Sequence, residues 1–384
     1  MKKDIHELFT QVEDCIVLPD LHYDDKSSPI DNEKDYMNRI KIIKEQIFPY
    51  MEEYNIKHII QLGDFTTNRI KISSWIMSML MEDFFDVCEK RGYQVISILG
   101  NHDLYYSDKR DVFTLKIFEK AYDNFNVIKD PTIMKIGKSN MLFVPWMMKD
   151  EDVLVQKMIQ ENDIDLILGH FEIQNFSVSK NQKADHGLTE NFFRKIPVVS
   201  GHFHIPQETN NIHYIGLIAQ SNWSDFNIES GFYKLNVNTL EKTFVKNTTT
   251  HQHLKVIINT TDKELDVIGL GYDYKVSINA KTDYSIFDNQ KVKIFIDVDN
   301  AWNKKIIEKI IENVASYKID ITLKQAEVVI DEDGIEVEVK KDVVDSEYDI
   351  DKSIIGNLET DYQKSIFDEI AIKADIDMQD KEEM

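Results

Sequence analysis

"HIIQLGD", residues 58–64, carries a short apolar run into a glycine and an aspartate. The same pattern recurs along the first half of the chain. CIVL (15–18) precedes Pro19-Asp20, VISIL (95–99) precedes Gly100-Asn101, DLIL (165–168) precedes Gly169-His170, and PVVS (197–200) precedes Gly201-His202. Runs with no polar alternation are the mark of strands covered on both faces. Between them Met37, Ile40, Ile43, Ile47, Met51 and Tyr54 recur at helical spacing, as do Ile76, Leu80, Phe84 and Val87, so each segment predicts a helix with one buried face. Strand, helix, strand in this order predicts a largely parallel α/β sheet. Ligands of such sheets bind beyond the carboxyl ends of the strands.

Those ends carry Asp20, His22, Asp64, Asn101, His102, His170, His202 and His204. Together they offer hard oxygen and borderline nitrogen donors, a mixture suited to manganese, iron or zinc rather than to a copper thiolate site. The set is large enough for two divalent ions. In GHFH (201–204), alternation along extended chain turns His202 and His204 to one side and Phe203 into the protein. Taken singly each piece is weak, since an aspartate after a strand is usually a cap or turn residue and a Gly-His pair is usually structural. The meaning lies in five such pieces at successive strand ends.

Composition sets the outer limits. A chain of 384 residues that is 42% hydrophobic can bury more than one core. No leader-like apolar run follows the N-terminus and no long uncharged apolar stretch occurs, so a cytoplasmic protein without a membrane span is expected. Cys15 and Cys88 are too few for a disulfide framework and read as buried apolar residues. The net charge of -23 argues against a nucleic-acid partner, because neutralising phosphates takes lysine and arginine. Its distribution softens that objection: from Glu327 onward 20 acidic residues face 6 basic ones, so the tail holds most of the excess. Lys109-Arg110, Lys135 with Lys138, and Arg194-Lys195 are local basic pairs that would meet phosphates or simply face water.

After about residue 256 the pattern changes to VKIFIDV (292–298), a helical stretch from Ala301 to Tyr317, and IDITL (319–323), which together read as a small α+β domain. The expected organisation is therefore a main domain over 1–255, a small domain over 256–326, an acidic linker or hairpin over 327–348 turning at Asp333-Gly334, and a helical segment over 349–384. In that last segment Ile350, Ile354, Leu358, Tyr362, Ile366, Ile370 and Ile372, mostly four apart, form an apolar stripe that needs a partner to cover it.

DLH (20–22), GD (63–64), GNHD (100–103), GH (169–170) and GHFH (201–204) together resemble the ordered signature of the calcineurin-like metallophosphoesterases. Further stretches, GDFTTNRIKI (63–72), DHGL (185–188), HYIGLIAQSNWSDFN (213–227) and GFYKLNVNTLEKTFVKN (231–247), are similar to the SbcD-type DNA repair nucleases, including the recombination nuclease subunits of T-even-like phages. The resemblance implies an α/β sandwich core followed by a small α+β capping domain and a C-terminal helical partner-binding segment. It implies that Asp20, His22 and His204 hold one metal, that Asn101, His170 and His202 hold a second, and that Asp64 bridges them, with manganese the expected ion. His102 would act on the phosphate or protonate the leaving oxygen, and Asp103 would orient its ring. Two positions depart from the family pattern: Asp24 stands where glycine is common, and Thr67 where an acid is common. Asp25, His58, His186 and His213 are read as structural.

The implied activity is duplex exonuclease and single-strand endonuclease action on DNA ends in recombination and double-strand break repair. The implied partners are DNA, an SbcC-type coiled-coil ABC ATPase docked on the C-terminal helices, and a second copy of the chain paired through residues 70–91 and 108–125. Two other readings share many of these features. One is a phosphomonoesterase or cyclic nucleotide phosphodiesterase with the same metal site, and the other a noncatalytic scaffold tethering DNA ends, which would have no reason to keep every ligand.

Overall fold

The computed structural model describes residues 8–24, 29–179, 182–220, 223–250, 252–279, 281–287, 290–296, 301–313, 319–323, 326–330 and 336–340. The helical segment expected over 349–384, the turn at Asp333-Gly334 and Asp25 lie outside them. The chain divides into two compact units, Met1–His251 and Gln252–Met384.

In the first unit the apolar runs become β1 (Asp14–Leu18), β2 (His58–Gln61), β3 (Gln94–Ile98) and β4 (Phe125–Ile128), all paired in parallel. The strand Gly231–Asn236 pairs antiparallel with β1, and Lys242–Lys246 completes this six-stranded sheet. The chain then builds a second six-stranded sheet. Its β5 (Thr132–Ile136) and β6 (Ser139–Val144) form a hairpin, and β6, β7 (Leu166–His170), Val198–Gly201 and Ile212–Tyr214 are parallel. The spacing alone speaks of one sheet, and the two sheets packed face to face are the sandwich core that the resemblance implies.

Period-two alternation decides which side chain faces which layer. Cys15, Val17, Ile60, Ile96 and Ile98 from the first sheet meet Phe143, Leu166, Leu168 and Val199 from the second in one cluster between the sheets. Ile16, Leu18, Ile59 and Val95 point the other way, onto Ile40, Ile43, Ile47, Met51, Ile76, Leu80 and Phe84 of the helices. On the far side Leu142, Ile167 and Val198 pack against Val155 and Ile159 of the helix Glu151–Glu161. The result is an α/β/β/α sandwich in which every central strand is covered twice. The helices are punctuated as their sequence demands: the Ser73 hydroxyl accepts from the Ile76 amide at the start of Ser74–Leu80, and Gly92 takes the left-handed conformation after Asp86–Arg91. Cys15 and Cys88 are both buried and unpaired, as expected.

The second unit is a five-stranded sheet ordered Tyr272–Ser277, Glu264–Gly269, His253–Asn259, Lys291–Ile296, Ile319–Leu323, with the helix Ala301–Asn313 placing Ile306, Ile307 and Ile310 in its core. Ala326–Ile330 and Glu336–Lys340 pair antiparallel. Among the described residues no helix is long and apolar enough to cross a membrane.

Candidate metal centre

The carboxyl ends of β1, β2, β3, β7 and Val198–Gly201 bring all eight predicted polar residues to one edge of the sandwich. Three of them sit at left-handed backbone angles, His22 at φ 50°, Asp64 at 51° and His202 at 90°. A side chain in that region carries strain that neighbouring structure must hold in place. Here the amides of Leu21 and His22 both donate to the Asp64 carbonyl oxygen, at 3.1 and 3.0 Å, and the His202 amide lies 3.1 Å from both Asp20 carboxylate oxygens. Gly100 is required where it stands, because a Cβ there would fall 2.2 Å from Asp64 Oδ1.

Asp20, His22 and His204 each present a donor atom within 4.8 Å of the others, and so do Asp64, His170 and His202. Asn101 joins the second group, its Oδ1 lying 3.1 Å from both His170 Nε2 and His202 Nδ1. Asp64 Oδ2 is 3.3 Å from His170 Nε2 and 3.9 Å from His22 Nε2, so this carboxylate faces both groups. The Nε2 atoms of His22 and His204 confront each other at 3.1 Å. Two ring nitrogens this close need either a proton or a cation between them.

Electrostatics favour cations here. Asp20 and Asp64 are wholly buried. Burial pushes the Asp20 carboxyl up despite the pull of His170, whereas at Asp64 the surrounding imidazoles, His170 foremost, overcome burial and hold the carboxyl down. Burial also lowers His22 and His202 to about 3, which keeps both rings neutral with a lone pair to give. His170 goes the other way: the charges of Asp64 and Asp20 outweigh burial and raise it to about 9. Its Nδ1 donates to the Leu62 carbonyl oxygen at 2.7 Å, which fixes the ring and turns Nε2 toward Asp64 and Asn101. A buried cluster of carboxylates and neutral imidazoles fits divalent ions in place of the protons it otherwise needs.

His102 sits beside the ligand groups. Its amide donates to Asp64 Oδ1 at 2.7 Å and its Nδ1 to the Thr67 carbonyl oxygen at 2.7 Å. The ring is therefore oriented by Thr67, not by Asp103 as the sequence implies. Asp103 is fully buried and its two oxygens accept from the amides of Thr66 and Gly100, at 3.2 and 2.9 Å, so it shapes the loops that carry Asp64 and Asn101. Thr67 also donates from its hydroxyl to the His22 carbonyl oxygen at 3.1 Å. A second residue missed in the sequence is Asp225, which is buried with Oδ1 3.7 Å from His204 Nδ1. His58 bonds the Leu8 carbonyl oxygen, His213 pairs with Glu208, and His186 is exposed beside Asp185, so none of the three joins the centre.

The model of the calcineurin-like phosphoesterase family matches residues 14–206, which spans every strand end just described. The chain belongs to that family. As a metallophosphoesterase it is a hydrolase whose fold implies divalent metal ions, and the two donor groups are where this chain can hold them. It is 27% identical over 302 residues to exonuclease subunit 1 of Enterobacteria phage T4, an alignment covering 77% of this chain and 81% of that protein. A solved archaeal phosphodiesterase matches 61% of this chain and 99% of its own at 11% identity, with a TM-score of 0.33.

Proposed function

We propose that this metallophosphoesterase is a two-metal DNA nuclease, acting as a duplex exonuclease and single-strand endonuclease on DNA ends. The observation that carries the reading is Asp64, one buried carboxylate facing two donor groups with the backbone amide of His102 bonded to it. Asp20, His22 and His204 would hold one ion, Asn101, His170 and His202 the other, and Asp64 both. When bound, paired divalent ions supply a nucleophile at neutral pH and neutralise charge on phosphate oxygens. The mixed oxygen and imidazole donors suit manganese, iron or zinc, and the family resemblance favours manganese among them.

The protein's own part is positional. The Thr67 carbonyl oxygen accepts from His102 Nδ1, which leaves Nε2 as the atom that, when the ring carries its second proton, gives that proton to the leaving oxygen or donates it in a bond to the phosphate. Asp103 holds the two loops at the spacing that sets Asp64 against Asn101. The DNA substrate is supported by likeness to a phage protein named as an exonuclease subunit, and the word subunit supports assembly with a partner, for which an SbcC-type ATPase docked on residues 349–384 is the reading we adopt. Pairing of two copies through residues 70–91 and 108–125 is supported by the exposure of Ile70, Trp75 and Ile117 there. Such a complex would act in recombination and break repair in the cytoplasm of a bacterial or phage-infected cell.

The test is cleavage of end-labelled duplex and single-stranded DNA by the purified protein in manganese, beside 4-nitrophenyl phosphate. Rapid DNA cleavage with slow monoester hydrolysis is expected. The reverse ranking would make the chain a phosphomonoesterase, and DNA binding without cleavage would make it a scaffold.

A further inference from the structure

Beside the donor groups lies aromatic surface that the metal chemistry does not use. Trp146 is half-buried, with its ring centroid 5.0 Å from that of His202 and 6.1 Å from that of His170. Its amide donates to the Leu99 carbonyl oxygen at 2.7 Å, which ties it to the strand end that delivers Asn101 and His102. That strand end runs on into a loop closed at its base by the Leu104–Phe113 bridge and by the bond from the Tyr105 amide to the Val112 carbonyl oxygen. The loop holds Tyr105 and Tyr106 in water, 46% and 39% exposed, with their rings edge to face at 4.8 Å and the Lys109 ammonium 4.2 Å from the Tyr106 ring centre.

Arg110 fastens the two pieces together. Its side chain is only 7% exposed, it binds Glu151 through two nitrogens, and its Nη2 donates to the Trp146 carbonyl oxygen at 2.5 Å. This arginine, read from sequence as half of a basic pair that would meet phosphates or simply face water, is instead a clamp whose side chain is buried. What remains exposed is a braced pair of rings beginning three residues after His102, with the Lys109 ammonium against the second of them. Exposed aromatic rings on a braced loop suit flat apolar ligands that can cover them, and a neighbouring lysine suits a ligand that is also anionic.

We propose that Tyr105, Tyr106 and Trp146 form a stacking site for the unpaired nucleobases flanking the phosphate to be cleaved, with Lys109 set against the adjoining backbone phosphate. The proposal rests on the reading of the chain as a DNA nuclease. A base can lie on these rings only when splayed from its partner, so the site favours single strands and frayed ends over closed duplex, and it accepts any base because each has a π-face.

Anisotropy of fluorescein-labelled oligothymidylate with the full-length protein in EDTA, where binding is read without turnover, tests this against an abasic oligomer of equal length. The oligothymidylate should bind about 10- to 100-fold more tightly, the usual worth of ring stacking. Tyr105→Ala with Tyr106→Ala should erase that preference, and Tyr105→Phe with Tyr106→Phe should keep it. Equal affinity of the native protein for the two oligomers overturns the proposal, as does an alanine variant that retains the preference. A preference that survives while sedimentation shows the alanine variant falling from dimer to monomer assigns the loop to subunit contact and likewise overturns it. Base preference without manganese-dependent cleavage would remove the nuclease reading and leave the stacking site standing.

Discussion

A methyl group added at Gly100 would sit 2.2 Å from Asp64 Oδ1 and 2.3 Å from the Asp64 nitrogen, so the residue with no side chain protects a carboxylate that faces both donor groups. Gly100→Ala should weaken manganese binding about 10- to 100-fold, the usual cost of disturbing groups behind a ligand, read by titration calorimetry. His102→Ala separates holding from chemistry. Manganese affinity should persist while turnover on DNA falls about 10²- to 10⁴-fold, as for a lost general acid; a drop of less than about tenfold would remove His102 from the reaction. The donor residues were legible because carboxylate, amide and imidazole recur at five successive strand ends, although each alone would read as a cap or a structural residue. Thr67 was not, since it acts on His102 through a backbone carbonyl that every residue type possesses. Asp225 was hidden differently: it reaches His204 from an isolated helical turn at Trp223–Asp225, where no periodicity announces a function.

At the scale of elements, unbroken apolar runs told correctly that the strands are covered on both faces, but could not tell by what. A strand under a helix and a strand under another sheet carry the same residues, which is why the spacing alone could not separate two sheets from one and only the family motifs implied the sandwich. The loop over 104–113 was illegible for a related reason, because an arginine that reaches phosphate and one that clamps Glu151 look alike in sequence. The clamp has a pH signature. Although partial burial works against it, hydrogen bonding from Arg110 and the Met148 amide holds the Glu151 carboxyl below its usual value. A depressed carboxylate lends stability at pH above its unfolded value, about 4.3, and loses it as pH falls through the lower folded value. The melting temperature of the native protein should therefore fall on acidification below about pH 4.3, and Glu151→Gln should flatten that part of the profile. A variant whose acid limb matches the native one would show that the clamp adds nothing.

For the whole molecule, the two units keep separate cores, and every donor residue together with His102 belongs to the first. A fragment ending at His251 should fold cooperatively and bind manganese like the full chain, as judged by circular dichroism melts and calorimetry. Loss of cooperative melting in that fragment would show that the second unit is needed for the fold. One further consequence follows from how the donors are shared. Asp20, His22 and Asp64 leave the first sheet, whereas His170, His202 and His204 leave the second, so each group of three straddles the seam. A cation lodged in either group stitches one layer to the other at that rim and nowhere else. Chelation should accordingly quicken amide hydrogen exchange at Leu18, Leu62 and Leu168, next to the stitches, while the opposite rim, at Asp14 and Leu166, keeps its pace.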